Sequence, residues 1–435
     1  MFQELGPDAR DLLGVVAFFP QGVDENNLEW LFPTISDGAK IFDKFCILSL
    51  TYRNNGFVMM LAPLRDHLCP TDPMSSPLLC MAKEGYFSRL LVWVDPNKPG
   101  FKETRWITSE DMNVEHLLNV FTTIDASSDD IWGACADFMA YLYWHKPRLV
   151  MLRPKIEGLP DDHRYKPQCL LQLSRLFQLV GNHVERKRLL IQALELWRER
   201  RDEFQAAVTL RLLSDVNRAL GHHTEGIRQA EEALKIYEQL GHTAGQGQSL
   251  QHLAWLLYQD NQLDAAEEAA SRAIDLLHDQ GDQFLVCTCY RLLGFICRCK
   301  GKTEKAMDHL EAALGIASPS NWHTQQFLIL CSLTELFSDQ GMFDDAHAHV
   351  ERAKPCAAND AYLLGRAVRL QASFLYQQRR FGGAKSEALR VVEAFERLGA
   401  AKDVEDTRQL LRRIEEKMNE LITPDEFDDD GELVE

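Results

Sequence analysis

The stretch Leu253–Leu314 reads LAWLLYQDNQLDAAEEAASRAIDLLHDQGDQFLVCTCYRLLGFICRCKGKTEKAMDHLEAAL. Amphipathic runs end at Asn261, Gly281 and Gly301, residue types that tolerate the positive φ demanded just past a helix C-terminus. Ala254 and Gly294, Ala266 and Ala306, and Ala273 and Ala313 stand 40 residues apart pairwise. Small side chains let antiparallel helices approach closely where they cross. Two breaks per period therefore mean two helices per period.

Outward from this stretch the pattern continues. Breaks recur at Gly181, Gly221, Asn261, Gly301 and Gly341 in steps of 40, then at Arg379 after a step of 38. A second series half a period later comprises Asp202, Gly241, Gly281, Asn321 and Gly399. Seven positions before each main break stand Ser174, Ser214, Ala254, Gly294, Thr334 and Ala372; twelve after it stand Ala193, Ala233, Ala273, Ala313, Ala353 and Val391. Five after it stand Ala266, Ala306, Ala346 and Ala384, with Arg186 and Gly226 as departures. Trp197, Tyr237, Leu277 and Phe395 supply the large apolar filling. The reading is six stacked helix pairs, each burying its apolar face on its neighbours.

These residues resemble the tetratricopeptide repeat (TPR) family: the small residue of helix A, the Gly between helices, the early Ala of helix B and the late Ala233-Leu234 and Ala313-Leu314 fall in register. The match covers about half of the 435-residue chain and departs in period, 40 rather than 34. It implies a right-handed helical solenoid with the A helices on a concave face. That face would carry Arg175, Arg211, Arg218, Arg291, Arg298, Arg366 and Arg369, with Trp255, Tyr258, Phe295 and Tyr376 between them and Asp215 and Glu335 as its main acids. Guanidinium forks take carboxylates bidentately, and aromatics anchor apolar side chains beside them. The expected partner is a protein or peptide, acidic or presenting a C-terminal carboxylate. The plainer reading is that some of these arginines pair with acids on neighbouring helices. TPR domains that clamp a terminal carboxylate are only partly matched, since the expected Asn is missing beside Arg211 and Arg291.

The N-terminus has a different grammar. Short helices are expected over Asp8–Phe18, Glu25–Leu31 and Ala39–Leu48, then strands around Ile47–Thr51 and Phe57–Leu61 across the turn Asn54-Asn55-Gly56. Three helices and a wing make a winged helix. LLGVVAFFPQGVDENNLEWLFP, FDKFCILSL and FVMMLAPLRDHL, with Phe19-Pro20-Gln21-Gly22 the most specific element, look like the winged-helix subdomain that closes the NB-ARC or NACHT module of STAND signalling ATPases. That resemblance implies a sensor arm coupled to an ATPase. The chain itself has no G-x-x-x-x-G-K-[ST]. Where the family places Met-His-Asp after the wing, this chain has Met60-Leu61-Ala62.

Between these parts, helical patterns at Pro77–Leu91, Asn113–Thr123 and Ser128–Trp144 precede Lys146–Lys166, whose Pro147, Pro154 and Pro160 read as a linker. The expected division is 1–70 winged-helix-like, 71–166 connector, 167–400 repeats, 401–422 capping helix and 423–435 acidic tail; the fold class is mainly α.

Composition excludes several functions. Lys+Arg 47 against Asp+Glu 65 gives −18, which opposes nonspecific binding to nucleic acid or anionic membrane; the third helix offers DNA only Lys40 and Lys44 beside Asp43. No apolar run approaches the ~20 residues of a spanning helix. Eleven scattered cysteines suggest reduced thiols and a cytoplasmic setting. Cys287, Cys289, Cys297 and Cys299 lie at i and i+2, about 200° apart on a helix, so adjacent pairs cannot share a metal. Glu426–Gly431 resembles half a calcium loop but lacks the twelfth-position Glu. His347 and His349, and the turn pair His222-His223, read as surface histidines. No cofactor and no catalytic constellation is expected. Two roles remain: the non-enzymatic sensor arm of a STAND-type signalling protein, or a free-standing TPR adaptor, scaffold or co-chaperone-like protein.

Overall fold

The structure, a computed structural model, describes residues 5–35, 37–94, 105–145, 152–357, 360–397 and 401–420. It divides into two compact units, Met1–Leu220 and Gly221–Glu435. The chain is mainly helical, with successive packed helices and little sheet, a TPR-type solenoid.

The first unit opens with α1 (Pro7–Phe18), β1 (Val23–Asp24), α2 (Leu28–Leu31), α3 (Gly38–Ile47), β2 (Tyr52–Asn54) and β3 (Phe57–Met59). The strands form an antiparallel sheet in the order β1-β3-β2, with Val58 opposite both Val23 and Arg53. Leu12, Val16, Phe42, Phe45 and Val58 are each buried. The strand expected around Ile47–Thr51 begins later, at Tyr52. The reason is local: Ser49 adopts φ 58°, its N–H bonds the carbonyl of Cys46, and the Leu50 N–H bonds that of Phe45. This Schellman-type closure consumes the apolar run as the end of a helix.

The Phe19–Gly22 turn is fixed from a distance. α4 (Ala62–Leu68), α5 (Pro77–Val94) and α6 (Arg105–Ile124) follow the sheet. From α6, Asn113 accepts the Gln21 N–H at 3.0 Å and donates to the Gly22 carbonyl at 2.8 Å. Beside it the buried Glu110 accepts from Asn27, Tyr86 and Asn113. Burial raises the Glu110 carboxyl above its usual range despite these donors. Gly22 has φ 74°, and a Cβ there would lie 2.1 Å from the Val58 carbonyl oxygen, so no other residue fits.

α7 (Asp129–His145) and α8 (Arg153–Glu157) lead to the repeats. Of the expected linker, 146–151 lie outside the described residues, whereas 152–166 are packed: Leu152, Ile156 and Leu159 are buried. Pro154 sits in the first turn of α8, where a missing N–H costs little. Lys155 bonds the Asn119 carbonyl and the Thr123 hydroxyl, satisfying the end of α6.

The repeat helices are α9 (Lys166–Leu179), α10 (His183–Glu199), α11 (Glu203–Ala219), α12 (His223–Gln239), α13 (Thr243–Gln259), α14 (Leu263–Asp279), α15 (Gln283–Cys299), α16 (Thr303–Ala317), α17 (His323–Asp339), α18 (Phe343–Cys356), α19 (Ala361–Gln377) and α20 (Phe381–Arg397), with α21 (Ala401–Glu420) packed on α20. Ser174, Ser214, Ala254, Thr334 and Ala372 are fully buried, as are Ala193, Ala233, Ala273 and Ala313. One break moves: the positive-φ residue after α10 is Arg201 (φ 56°), not Asp202. Asp202 instead caps α11, accepting the Gln205 N–H at 3.0 Å. The Gly399 break and the acidic tail lie outside the described residues.

Candidate partner-binding groove

Within the second unit the odd-numbered helices α13, α15, α17, α19 and α21 touch in succession. Side chains 34 to 41 residues apart therefore meet on one face, and that face carries most of the residues expected to bind a partner. At one end is an aromatic cluster. Trp255 and Phe295 lie edge to face at 5.9 Å, and Tyr258 stacks on Phe295 at 6.1 Å. The Arg291 guanidinium sits 5.1 Å from the Trp255 ring and 5.5 Å from Phe295, close enough for cation–π attraction. The Tyr258 hydroxyl reaches toward Cys299, and burial raises its pKa.

The middle of the face is ionic. Arg298 bonds Glu335 and, at 2.9 Å, Asp339, so α15 and α17 are joined by a three-member network. Further along, Arg369 bonds Asp403 of α21 at 3.0 Å with Asp406 at 3.8 Å, and Tyr362 donates to Asp403 at 2.9 Å. Arg366 lies alongside, lining a cavity of about 350 Å³ with Glu335, Arg369, Asp406 and Arg413. Tyr376 stands edge-on to Phe381 at 5.7 Å, beside a second hollow of about 540 Å³ that Arg379 and Lys417 also line.

In the first unit, Arg175 and Arg211 are neighbours. Burial, then the Arg211 charge, lowers the Arg175 pKa. Arg218 pairs with Asp215 at 2.8 Å, and Asp215 also holds the buried Arg186 at 2.9 Å. Arg186, a departure from the alanine series, is thus a structural cation. The picture of an open arginine face needs correction at Arg218, Arg298 and Arg369, which are committed to acids of the chain. Reading by sequence missed Arg413, Gln409 and Asp406, because α21 was taken only as a cap; Arg413 lies 40 residues beyond Ser373 (413 − 373), which continues the period.

Other motifs resolve simply. Cys287, Cys289 and Cys297 are buried, and burial raises their thiol pKa values. His347 is exposed and stacks on Phe374 at 6.0 Å, and the half-buried His349 stacks on Phe337 at 5.1 Å. On α3, Lys40 pairs with Asp37, and Asp43 pairs with Arg53 of β2. No helix among the described residues is long and apolar enough to cross a membrane.

No protein-family model matches the chain, and no curated protein does. Solved structures do. A signal transduction ATPase with numerous domains (STAND) protein with a tetratricopeptide repeat sensor, from Pyrococcus horikoshii, superposes with a TM-score of 0.62 over 97% of this chain at 13% identity. The chain spans 65% of that protein's length. A Rap protein complexed with competence and sporulation factor superposes with a TM-score of 0.52 over 78% of this chain and 99% of its own, at 15% identity. At such identities the likeness is one of fold, and the fold is the TPR-type helical repeat.

Proposed function

We propose that this chain is a non-enzymatic recognition arm of a STAND-type signalling protein, whose repeat face takes a protein or peptide partner. The observation that carries the reading is the extent of the likeness to the STAND protein: 97% of the chain aligns, so the N-terminal helices and strands are included as well as the repeats. The helix–strand–helix–helix–strand–strand order and the β1-β3-β2 sheet suit a winged helix. With Lys40 and Asp43 engaged in ion pairs, that element suits coupling to another protein module better than to a duplex. The aromatic cluster at Trp255, Tyr258 and Phe295 supplies apolar anchoring, and the flanking arginines supply selection for acidic groups.

A second reading, a free-standing cytoplasmic adaptor that receives a peptide factor, is favoured by the likeness to the Rap protein, 99% of whose length is covered and which is complexed with competence and sporulation factor. One measurement separates them, and a second tests the groove that they share. Affinity capture of the endogenous protein should bring a P-loop ATPase, in the same polypeptide or as a partner; capture without any ATPase refutes the STAND reading and leaves the adaptor. Trp255→Ala with Phe295→Ala should abolish capture of the recognised partner, and retention would refute the groove in both readings.

A further inference from the structure

We infer that the cavity between α17, α19 and α21 is a carboxylate-binding subsite, built on Arg366 and Arg413, for acidic side chains of a peptide. The inference deepens the groove reading and rests on it.

The argument is one of unspent charge. Around this cavity the acids already have partners: Glu335 is held by Arg298, and Asp406 lies against Arg369, which Asp403 also grips. Arg366 and Arg413 line the same space and enter no ion pair among the described residues. Arginine stays charged at any working pH, and two like guanidinium groups facing one hollow repel unless an anion is shared between them. At about 350 Å³ the cavity has room for one or two carboxylate side chains with water, but is small for a folded partner's core. Leu370 and Leu410 give it an apolar wall, which raises the worth of each charged hydrogen bond by excluding water. A planar carboxylate matches the guanidinium fork.

The ionic middle of the face, by contrast, is self-satisfied. An anion arriving at Arg298 must displace Glu335 and Asp339 before it gains anything. One arriving at Arg366 and Arg413 has no ion pair among the described residues to break. Selection for acidic ligands therefore sits at the α21 end of the face, about as far along it as the described helices extend, while apolar anchoring sits near α13.

Fluorescence anisotropy of the full chain with a fluorescein-labelled peptide Glu-Asp-Phe-Asp-Glu tests this. Saturable binding is expected, and Arg366→Gln with Arg413→Gln should weaken it by about tenfold or more, since each lost charge-assisted bond is worth roughly that factor. Arg272→Gln, on an exposed pair with Glu238, is the control and should leave binding unchanged. Circular dichroism checks that the double variant is folded. The reversal Arg366→Glu should turn preference toward a lysine-bearing peptide, an outcome that misfolding could not produce. Unchanged affinity in the folded double variant overturns the subsite but leaves the groove standing. Absence of any saturable peptide binding overturns the subsite as well, and the Trp255 and Phe295 experiment then decides the groove separately. Inorganic phosphate or sulfate binding as tightly as the peptide, with the same arginine dependence, also overturns it and assigns the cavity to a free oxyanion.

Discussion

Gly294 lies where α15 crosses α16, and replacing it by alanine sets two effects against each other. Alanine in a helix interior gains about 1 kcal/mol over glycine. Yet a Cβ at position 294 would stand 2.6 Å from Cγ and 2.7 Å from Cδ2 of Leu310, where ordinary contact begins at 3.4 Å. Leu310 must then retreat by 0.8 Å (3.4 − 2.6) although it is only 1% exposed. Overpacking of this kind costs about 1–3 kcal/mol, so Gly294→Ala should be net destabilising, by about 1 kcal/mol. Gly315→Ala in the neighbouring α16 is the internal reference, because nothing lies within 4 Å of its Cβ position. It should stabilise by about 0.5–1 kcal/mol. The propensity gain is common to both, so the difference between the two variants isolates the crossing at about 1–3 kcal/mol. In a cooperative unit of 150–250 residues each kcal/mol moves the melting midpoint by about 2–4 °C. Urea unfolding of both variants, with hydrogen exchange read along α15 and α16, measures it. A difference below about 0.5 kcal/mol would refute the close helix approach on which the whole register of small residues depends.

Asp215→Ala should cost about 3–5 kcal/mol, because it strands the buried Arg186, while Arg186→Ala should cost less, since Asp215 keeps Arg218; equal losses in chemical denaturation would contradict this. Arg201→Gly should stabilise by up to about 1 kcal/mol by relieving φ 56°, and Asp202→Ala should cost about 1 kcal/mol by uncapping α11, both read as shifts in unfolding midpoint. Burial raises Asp137 to about 6. With its folded pKa above the unfolded one, its contribution is most favourable below the unfolded pKa and is lost as pH rises through about 6. Asp137→Asn should therefore stabilise the chain at pH 7 relative to the parent, with the advantage shrinking toward pH 4; a pH-independent difference in melting temperature would count against it.

The repeat was legible in the sequence because its determinants are local and periodic. A positive-φ residue and an alanine at a crossing leave a signature in one chain position each, so Asn261 and Ala313 could be placed without knowing what they touch. The N-terminal strand was misplaced because FCILSL has the composition of a strand, and only the hydrogen bonds around Ser49 show that the helix claims it. The arginine face was half legible. Its helices and spacing were readable, but whether a guanidinium meets a carboxylate depends on the rotamers of residues 34 to 41 positions away, as at Arg298–Asp339 and Arg369–Asp403. Arg366 and Arg413, which enter no ion pair among the described residues, stand out only once those pairings are known.

The bond from Gln21 to Asn113 spans 92 positions, whereas the ion pairs across the repeat face span at most 41. During synthesis at about 5–20 residues per second, the Phe19–Gly22 turn would wait about 5–18 s for its clasp to be made. Each repeat, once its successor has emerged, can close against it in less than half that time. The order in which the ribosome delivers these residues is thus not the order in which they lock, and the Phe19–Gly22 turn, made ahead of every repeat, stands open to chaperones for longer than any repeat does.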